Sequence, residues 1–155
     1  MNKKWRSRYM RLAIEVADFS EDDSTKVGSY IANPLTNRPV SFGYNGIPSG
    51  VLDKPERHER PVKYYYFEHA ERNAIYNADR QLDGMSIFVT HTPCVDCTRA
   101  VIQNRITELY VLHDNGFDSK WTEERYTIEQ RTAIHHMLIE AKIRIFEIDR
   151  EGNLV

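Results

Sequence analysis

Short apolar runs alternate with helix-compatible stretches through the second half of this chain, and that alternation limits the fold more than any other property. Met85–Thr90, Leu109–Leu112 and Ile143–Ile148 read as strands, rich in branched and aromatic residues. Between them, Cys94–Asn104 and Thr122–Ala141 read as helices, the second long and amphipathic. Pro93 stands where a helix takes its first residue, so the segment from Met85 runs strand, tight turn, helix. Strands joined through helices in this way belong to one sheet covered by those helices.

The first half reads differently. Trp5, Tyr9, Leu12, Ala13, Val16 and Ala17 recur at three- and four-residue steps, which makes one apolar stripe on a helix over residues 5–19. Lys26–Ala32 and Val40–Tyr44 flank the turn signals Asn33-Pro34 and Asn37-Arg38-Pro39 and predict a hairpin. Asn45–Gly50 holds two glycines and a proline, the composition of a shaped loop. Residues 51–66 carry charges and two prolines without a period and read as a surface connection longer than most loops. A helix follows over 68–80, with Ala70, Ala74 and Ala78 four apart on a small-residue stripe. The order α-β-β-α-β-α-β-α-β predicts an α/β fold: a three-layer α/β/α sandwich around a mixed five-stranded sheet. With 155 residues, no linker and no internal repeat, residues 1–155 read as a single domain.

Charge narrows the partners. Against 23 Asp and Glu stand 21 Lys and Arg, so the formal charge of −2 offers no excess for binding nucleic acid through its phosphates. No run of about 18 apolar residues predicts a membrane span, and the basic, polar start does not read as a secretory signal. The expected location is the cytoplasm, or the host cytoplasm for a viral protein.

Cys94 and Cys97 are the only cysteines. In a chain without marks of secretion, two thiols this close read as metal ligands or a redox pair before a structural bridge. At i and i+3 they share one helical face, and His69 arrives from the start of the neighbouring helix. Two thiolates and an imidazole favour Zn²⁺, and three protein ligands leave a fourth position open, as in a catalytic centre. Glu71, two residues after His69, is free of the metal and is the natural proton shuttle between zinc-water, a ring nitrogen and a leaving amine.

His-x-Glu followed by Pro-Cys-x-x-Cys is the pattern of the zinc nucleobase deaminases. The flanking residues carry a closer likeness. Ser24-Thr25-Lys26-Val27-Gly28, Gly43-Tyr44-Asn45-Gly46-Ile47-Pro48-Ser49-Gly50, His69-Ala70-Glu71-Arg72-Asn73-Ala74-Ile75 and Thr92-Pro93-Cys94-Val95-Asp96-Cys97 together resemble the deoxycytidylate (dCMP) deaminase family, from about Arg8 to the C-terminus. The resemblance implies a cytidine deaminase-like fold and hydrolysis of dCMP to dUMP and ammonia. It implies that Asn45 bonds the sugar, that the Ala70 N–H reads the pyrimidine carbonyl, and that the Thr92 carbonyl faces the leaving amine. It also implies a homohexamer activated by dCTP and inhibited by dTTP, with Mg²⁺ accompanying the triphosphate and Arg80 at an effector-linked position. Lys26 and Ser24 are the candidates for the 5′-phosphate, as an ammonium and a hydroxyl at a loop-to-strand junction.

Other readings stand beside these. A structural zinc with His91 or His113 as fourth ligand, or a redox dithiol, accounts for neither Glu71 nor Pro93. A tRNA adenosine deaminase would share the zinc core but calls for a basic surface, and a non-catalytic zinc-binding module leaves Glu71 without a task. With no third cysteine, a second zinc site lacks ligands, and His58 reads as a loop histidine. Phe117, Trp121 and Tyr126 are either packing residues or faces for a base. Tyr64–Phe67 reads as packing or subunit contact, and His135-His136 as an exposed pair.

Overall fold

A computed structural model of the chain describes residues 1–155. Five strands, β1 (Gly28–Ala32), β2 (Pro39–Tyr44), β3 (Ser86–Val89), β4 (Glu108–Leu112) and β5 (Arg144–Ile148), form one sheet in the order β2-β1-β3-β4-β5. β1 pairs antiparallel with both β2 and β3, while β3, β4 and β5 are parallel. The expected hairpin supplies the antiparallel edge, and the strand-helix alternation of the second half supplies the parallel part. Six helices accompany the sheet: α1 (Lys3–Ala17), α2 (Lys63–Tyr66), α3 (Ala70–Tyr76), α4 (Val95–Gln103), α5 (Lys120–Arg125) and α6 (Ile128–Glu140).

The pleat sends alternate side chains to opposite faces and so builds two cores. Ile87, Val89, Leu109 and Val111 are buried with Ala74 of α3, Val101 of α4 and Ile134 and Leu138 of α6. Phe88, Tyr110 and Leu112 are buried on the other side with Tyr9, Met10 and Ala13 of α1. The result is the three-layer sandwich expected from the sequence. On the α1 side the register aligns Phe88 with Tyr110 and Tyr110 with Phe146, and their rings stack at centroid distances of 4.5 and 4.8 Å. Such pairs add about 0.5–1.5 kcal/mol each beyond their buried area.

Two glycines set the distances between layers. A Cβ on Gly28 would lie 1.9 Å from the Ala13 carbonyl oxygen, so α1 rests directly on the β1 backbone. A Cβ on Gly43 would lie 2.3 Å from the Ala74 nitrogen and 2.5 Å from the Ala70 oxygen, so α3 is pressed against β2 in the same way. The stripe Ala70–Ala74 supplies the matching surface, and both residues are fully buried.

Three sequence expectations change. The long helix over 122–141 is two helices, because Tyr126 adopts an extended backbone (φ −122°, ψ 137°) and Thr127 starts α6 with a reciprocal cap to Gln130. The helix over 68–80 ends at Tyr76, where Asn77 donates its side-chain N–H to the Phe42 carbonyl oxygen of β2. Arg80, expected on that helix, therefore lies beyond it, exposed and paired with Asp79 at 3.2 Å. The connection over 51–66 is not purely surface, since α2 buries Lys63. No helix is long and apolar enough to cross a membrane.

Candidate active site

His69 and Cys94 occupy the same kind of position. Each is the N-cap of its helix, His69 of α3 and Cys94 of α4, with extended backbone just before the first turn. Arg72 on α3 and Asp96 on α4 approach to 3.8 Å and help hold the two helix starts side by side. The His69 Nδ1 lies 3.5 Å from the sulfur of Cys94 and 3.5 Å from that of Cys97. All three donor atoms fall within 4.8 Å of one another. Zn–S bonds of about 2.3 Å and Zn–N bonds of about 2.0–2.1 Å at tetrahedral angles separate sulfur and nitrogen donors by about 3.5 Å, so the triangle fits zinc and binds it through Nδ1.

Electrostatics suit the donor set. The Cys94 thiol is held down at about 4 by the hydrogen bond from the Cys97 thiol, with His69 and the Cys97 backbone N–H adding to it against burial. Cys97, as the donor in that pair and itself buried, is pushed up. His69 is raised, first by its contact with Cys94. Glu71, only 4% exposed, is raised by burial and tempered by the positive charge of His69.

These residues stand at the foot of a cavity of about 440 Å³. His69, Ala70, Glu71 and Cys94 line it on one side, Asn45, Asp22 and Thr25 on another, and Lys63, Phe67, Trp121, Arg125 and Tyr126 complete the wall. Asn45 is fixed by four groups. Its Oδ1 accepts the Val27 N–H at 2.7 Å, its Nδ2 donates to the Thr25 carbonyl at 2.9 Å and to Asp22 Oδ2 at 3.2 Å, and its own carbonyl accepts the Ser20 hydroxyl. Asp22 in turn accepts two hydrogen bonds from Lys63, one on each carboxylate oxygen, at 2.9 and 2.7 Å. Reciprocal backbone bonds between Gly46 and Glu68 tie the Asn45 loop to the residue preceding His69. Opposite, Asn115 holds the segment 90–92 by donating to the Thr90 carbonyl and accepting from the Thr92 N–H, and the Tyr126 hydroxyl donates to the Thr92 carbonyl at 3.4 Å.

The zinc-binding region of the cytidine and deoxycytidylate deaminases matches residues 3–113. The chain belongs to the cytidine and deoxycytidylate deaminase family. It is 42% identical over 125 residues to an uncharacterized deaminase in the luxG 3′ region of Aliivibrio fischeri, covering 80% of this chain and 84% of that one. With the deoxycytidylate deaminase of Homo sapiens it shares 34% identity over 123 residues, 75% of this chain and 68% of the human one. The crystal structure of dCMP deaminase from the cyanophage S-TIM5 in complex with dCMP and dUMP has the same fold, with a TM-score of 0.72 at 22% identity over 96% of this chain and 99% of that one.

Within this deaminase the structure brings together most of the residues singled out in the sequence. His69, Cys94, Cys97 and Glu71 converge, with Asn45 and Ala70 in the same cavity wall. Thr92 is buried just behind it. Lys26 and Ser24 stand differently. Lys26, just before β1, is exposed and is not among the residues that line the cavity. The Ser24 hydroxyl is already committed, donating to Asp22 at 2.8 Å and accepting from Lys63 at 2.6 Å. Of the three aromatics left open, Trp121 and Tyr126 line the cavity, whereas Phe117 packs on the core beneath α6. His58 pairs with Asp53, and His135 and His136 are exposed. Sequence reading missed Asp22, Lys63, Arg60 and Arg125. The Thr127-x-x-Gln130 capping box was the available signal for the helix break that carries Arg125 and Tyr126 to the cavity.

Proposed function

We propose that this deaminase hydrolyses dCMP to dUMP and ammonia, the whole chain acting as one deaminase domain. The observation that carries the reading is the buried Glu71 beside the His69, Cys94 and Cys97 donor triangle at the foot of a nucleotide-sized cavity. Zn²⁺ bound in that triangle would supply an acidified water as the nucleophile.

The residues of the chain do the rest. Glu71 takes a proton from the attacking water as its oxygen bonds to C4 of the pyrimidine, gives that proton to N3, and moves the second proton to the amine that leaves as ammonia. The N–H of Ala70 is the first of α3 and has no carbonyl partner within the helix, which leaves it for the pyrimidine carbonyl. Asn45 cannot rotate, because both of its amide protons are used, and one lone pair of Oδ1 remains for a sugar hydroxyl. The Thr92 carbonyl is the acceptor for the departing amine. Burial of Glu71 keeps bulk water from competing for its protons.

The family likeness supports further parts of the reading. Activation by dCTP, inhibition by dTTP, Mg²⁺ with the bound triphosphate, a hexameric assembly and a cytoplasmic location belong to it. Arg80, exposed and away from the cavity, is the candidate effector residue.

The test is ammonia release by zinc-loaded protein from dCMP, cytidine, dCTP and a tRNA stem-loop in parallel, with and without added dCTP and dTTP. Turnover of dCMP alone is the expected result. Turnover of cytidine or the stem-loop instead would remove the nucleotide reading and keep the zinc chemistry, and silence on every substrate would leave a binding module.

A further inference from the structure

A nucleotide bound with its base against Glu71 turns its phosphate dianion toward the cavity mouth, so the charged groups of the wall decide where that dianion can rest. Four cationic candidates stand near it: Lys26, Lys63, Arg60 and Arg125. Lys26 does not reach the wall. Lys63 lines it, yet its three ammonium protons already serve both Asp22 oxygens and the Ser24 hydroxyl, and its charge is matched by Asp22. Arg60 and Arg125 remain. Both line the cavity from its exposed rim, and neither guanidinium has a carboxylate partner or a hydrogen bond.

Arg125 is also held in place without using its N–H groups. Its guanidinium carbon lies 5.5 Å from the Trp121 ring centre and 5.9 Å from that of Tyr64, so aromatic faces support it while the in-plane donors stay free. The neighbouring carboxylate, Glu124, also lines the cavity, and its charge is paired with Lys120 at 3.5 Å, so Arg125 is left without a carboxylate partner. The charge of Arg125 is felt inside the protein, since it acts with burial to hold His91 at about 4. A planar fork with free donors on the cavity wall matches phosphate oxygens in geometry and in sign.

We propose that Arg125 and Arg60 clamp the 5′-phosphate of the substrate, which makes the segment around α5 the element that tells a nucleotide from a nucleoside. The proposal rests on the dCMP reading for the nature of the occupant. It assigns the phosphate to residues from the connection before α2 and from α5.

The measurement is the ratio of kcat/KM for dCMP to that for deoxycytidine, together with calorimetric titration of dUMP and deoxyuridine, which needs no turnover. Arg125→Gln and Arg60→Gln are each expected to lower that ratio, and the preference for dUMP over deoxyuridine, by roughly 10- to 100-fold, the loss of a charged hydrogen-bond pair. Arg125→Lys restores part of it, as a point charge without the fork. Lys26→Gln leaves both ratios unchanged. Because Arg60 and Arg125 are exposed, thermal unfolding of the glutamine variants is expected to match the wild type. Glutamine variants that keep the wild-type ratios, or a Lys26→Gln protein that loses them, would overturn the clamp. A wild-type protein that releases no ammonia from dCMP, yet binds dUMP above deoxyuridine in an Arg125-dependent way, would overturn the reaction and uphold the clamp.

Discussion

Replacing Lys63 with Met keeps the unbranched stem and deletes the ammonium, a change whose cost follows from what surrounds it. Lys63 is 3% and Asp22 5% exposed, and the ammonium sits within 2.9 Å of both carboxylate oxygens. Breaking a buried pair from one side costs about 3–5 kcal/mol, because the remaining charge stays desolvated. Asp22 would retain the Ser24 N–H and hydroxyl, the Thr25 N–H and the Asn45 amide as donors, which places the loss near the lower end, about 3 kcal/mol. For a chain of this size each 1 kcal/mol moves Tm by about 2–4 °C, so Lys63→Met is expected to melt about 6–12 °C lower at pH 7.

The pH dependence provides a second, sharper check. Burial alone would raise the Asp22 carboxyl, but the hydrogen bonds from Lys63 and Ser24 outweigh it and hold the group below its ordinary value. A carboxyl lowered in the folded state stabilises above its unfolded pKa of about 3.9, and that contribution is lost as pH falls through the folded value. In Lys63→Met the largest opposing influence is gone, so burial acts against the Ser24 bonds alone and the carboxyl rises from its wild-type position. The ionised form is then less stabilised than in the wild type, and that difference is full at neutral pH and lost as pH falls through the two folded values. Thermal unfolding of both proteins from pH 7 downward should show a gap that narrows toward acid. The double variant Lys63→Met/Asp22→Asn should recover most of the loss, since no buried charge remains unpaired. A gap below 2 °C at pH 7, or one that stays constant with pH, would refute the reasoning.

Three other substitutions probe the site. Glu71→Gln is expected to bind one zinc per chain, by metal analysis, while kcat falls by at least about 10²–10⁴-fold, the share of positioned proton transfer. Cys94→Ala removes a donor from the triangle and should lose metal and turnover together; a stable, active, zinc-free protein would contradict the ligand assignment. Gly43→Ala places a methyl 2.3 Å from the Ala74 nitrogen and must push α3 off β2, an overpacking cost of about 1–3 kcal/mol. Because His69 and Glu71 ride on α3, its kcat should drop even at temperatures where the variant remains folded, and unchanged kcat would show that the helix position is not what aligns them.

The parts of this molecule that were legible in its sequence are those set by neighbours along the chain. The pleat of β3 and β4 could be read because Ile87 and Val89 alternate with Phe88, and Leu109 and Val111 with Tyr110, at a period that sequence displays directly. The donor triangle could be read because each ligand belongs to a local helix start, and the starts of α3 and α4 lie side by side, which brings His69 and Cys94 together. Asp22 and Lys63 offered no such handle. They are 41 residues apart, each in a stretch without a period, and a buried lysine in a charged connection looks like any exposed one until its partner is known.

The α5 segment shows the same division at the level of function. Residues 122–141 have helix-forming composition throughout, so propensity predicts one helix that would run past the cavity. The chain instead breaks at Tyr126, where the cap of Thr127 on Gln130 satisfies the N–H groups exposed by starting again, and the free end of α5 folds back over the donor triangle. That break converts an outer helix into a wall carrying Trp121, Arg125 and Tyr126. The reacting groups therefore come from local motifs and the groups that choose the occupant from a tertiary fold-back. Removing the Thr127 side chain tests the link: Thr127→Ala should cost about 1 kcal/mol of stability, and if α5 depends on the break it should also raise the KM for dCMP more than it lowers kcat. A variant that loses stability with KM unchanged would show that α5 holds its place on the cavity through its own packing, independent of the cap.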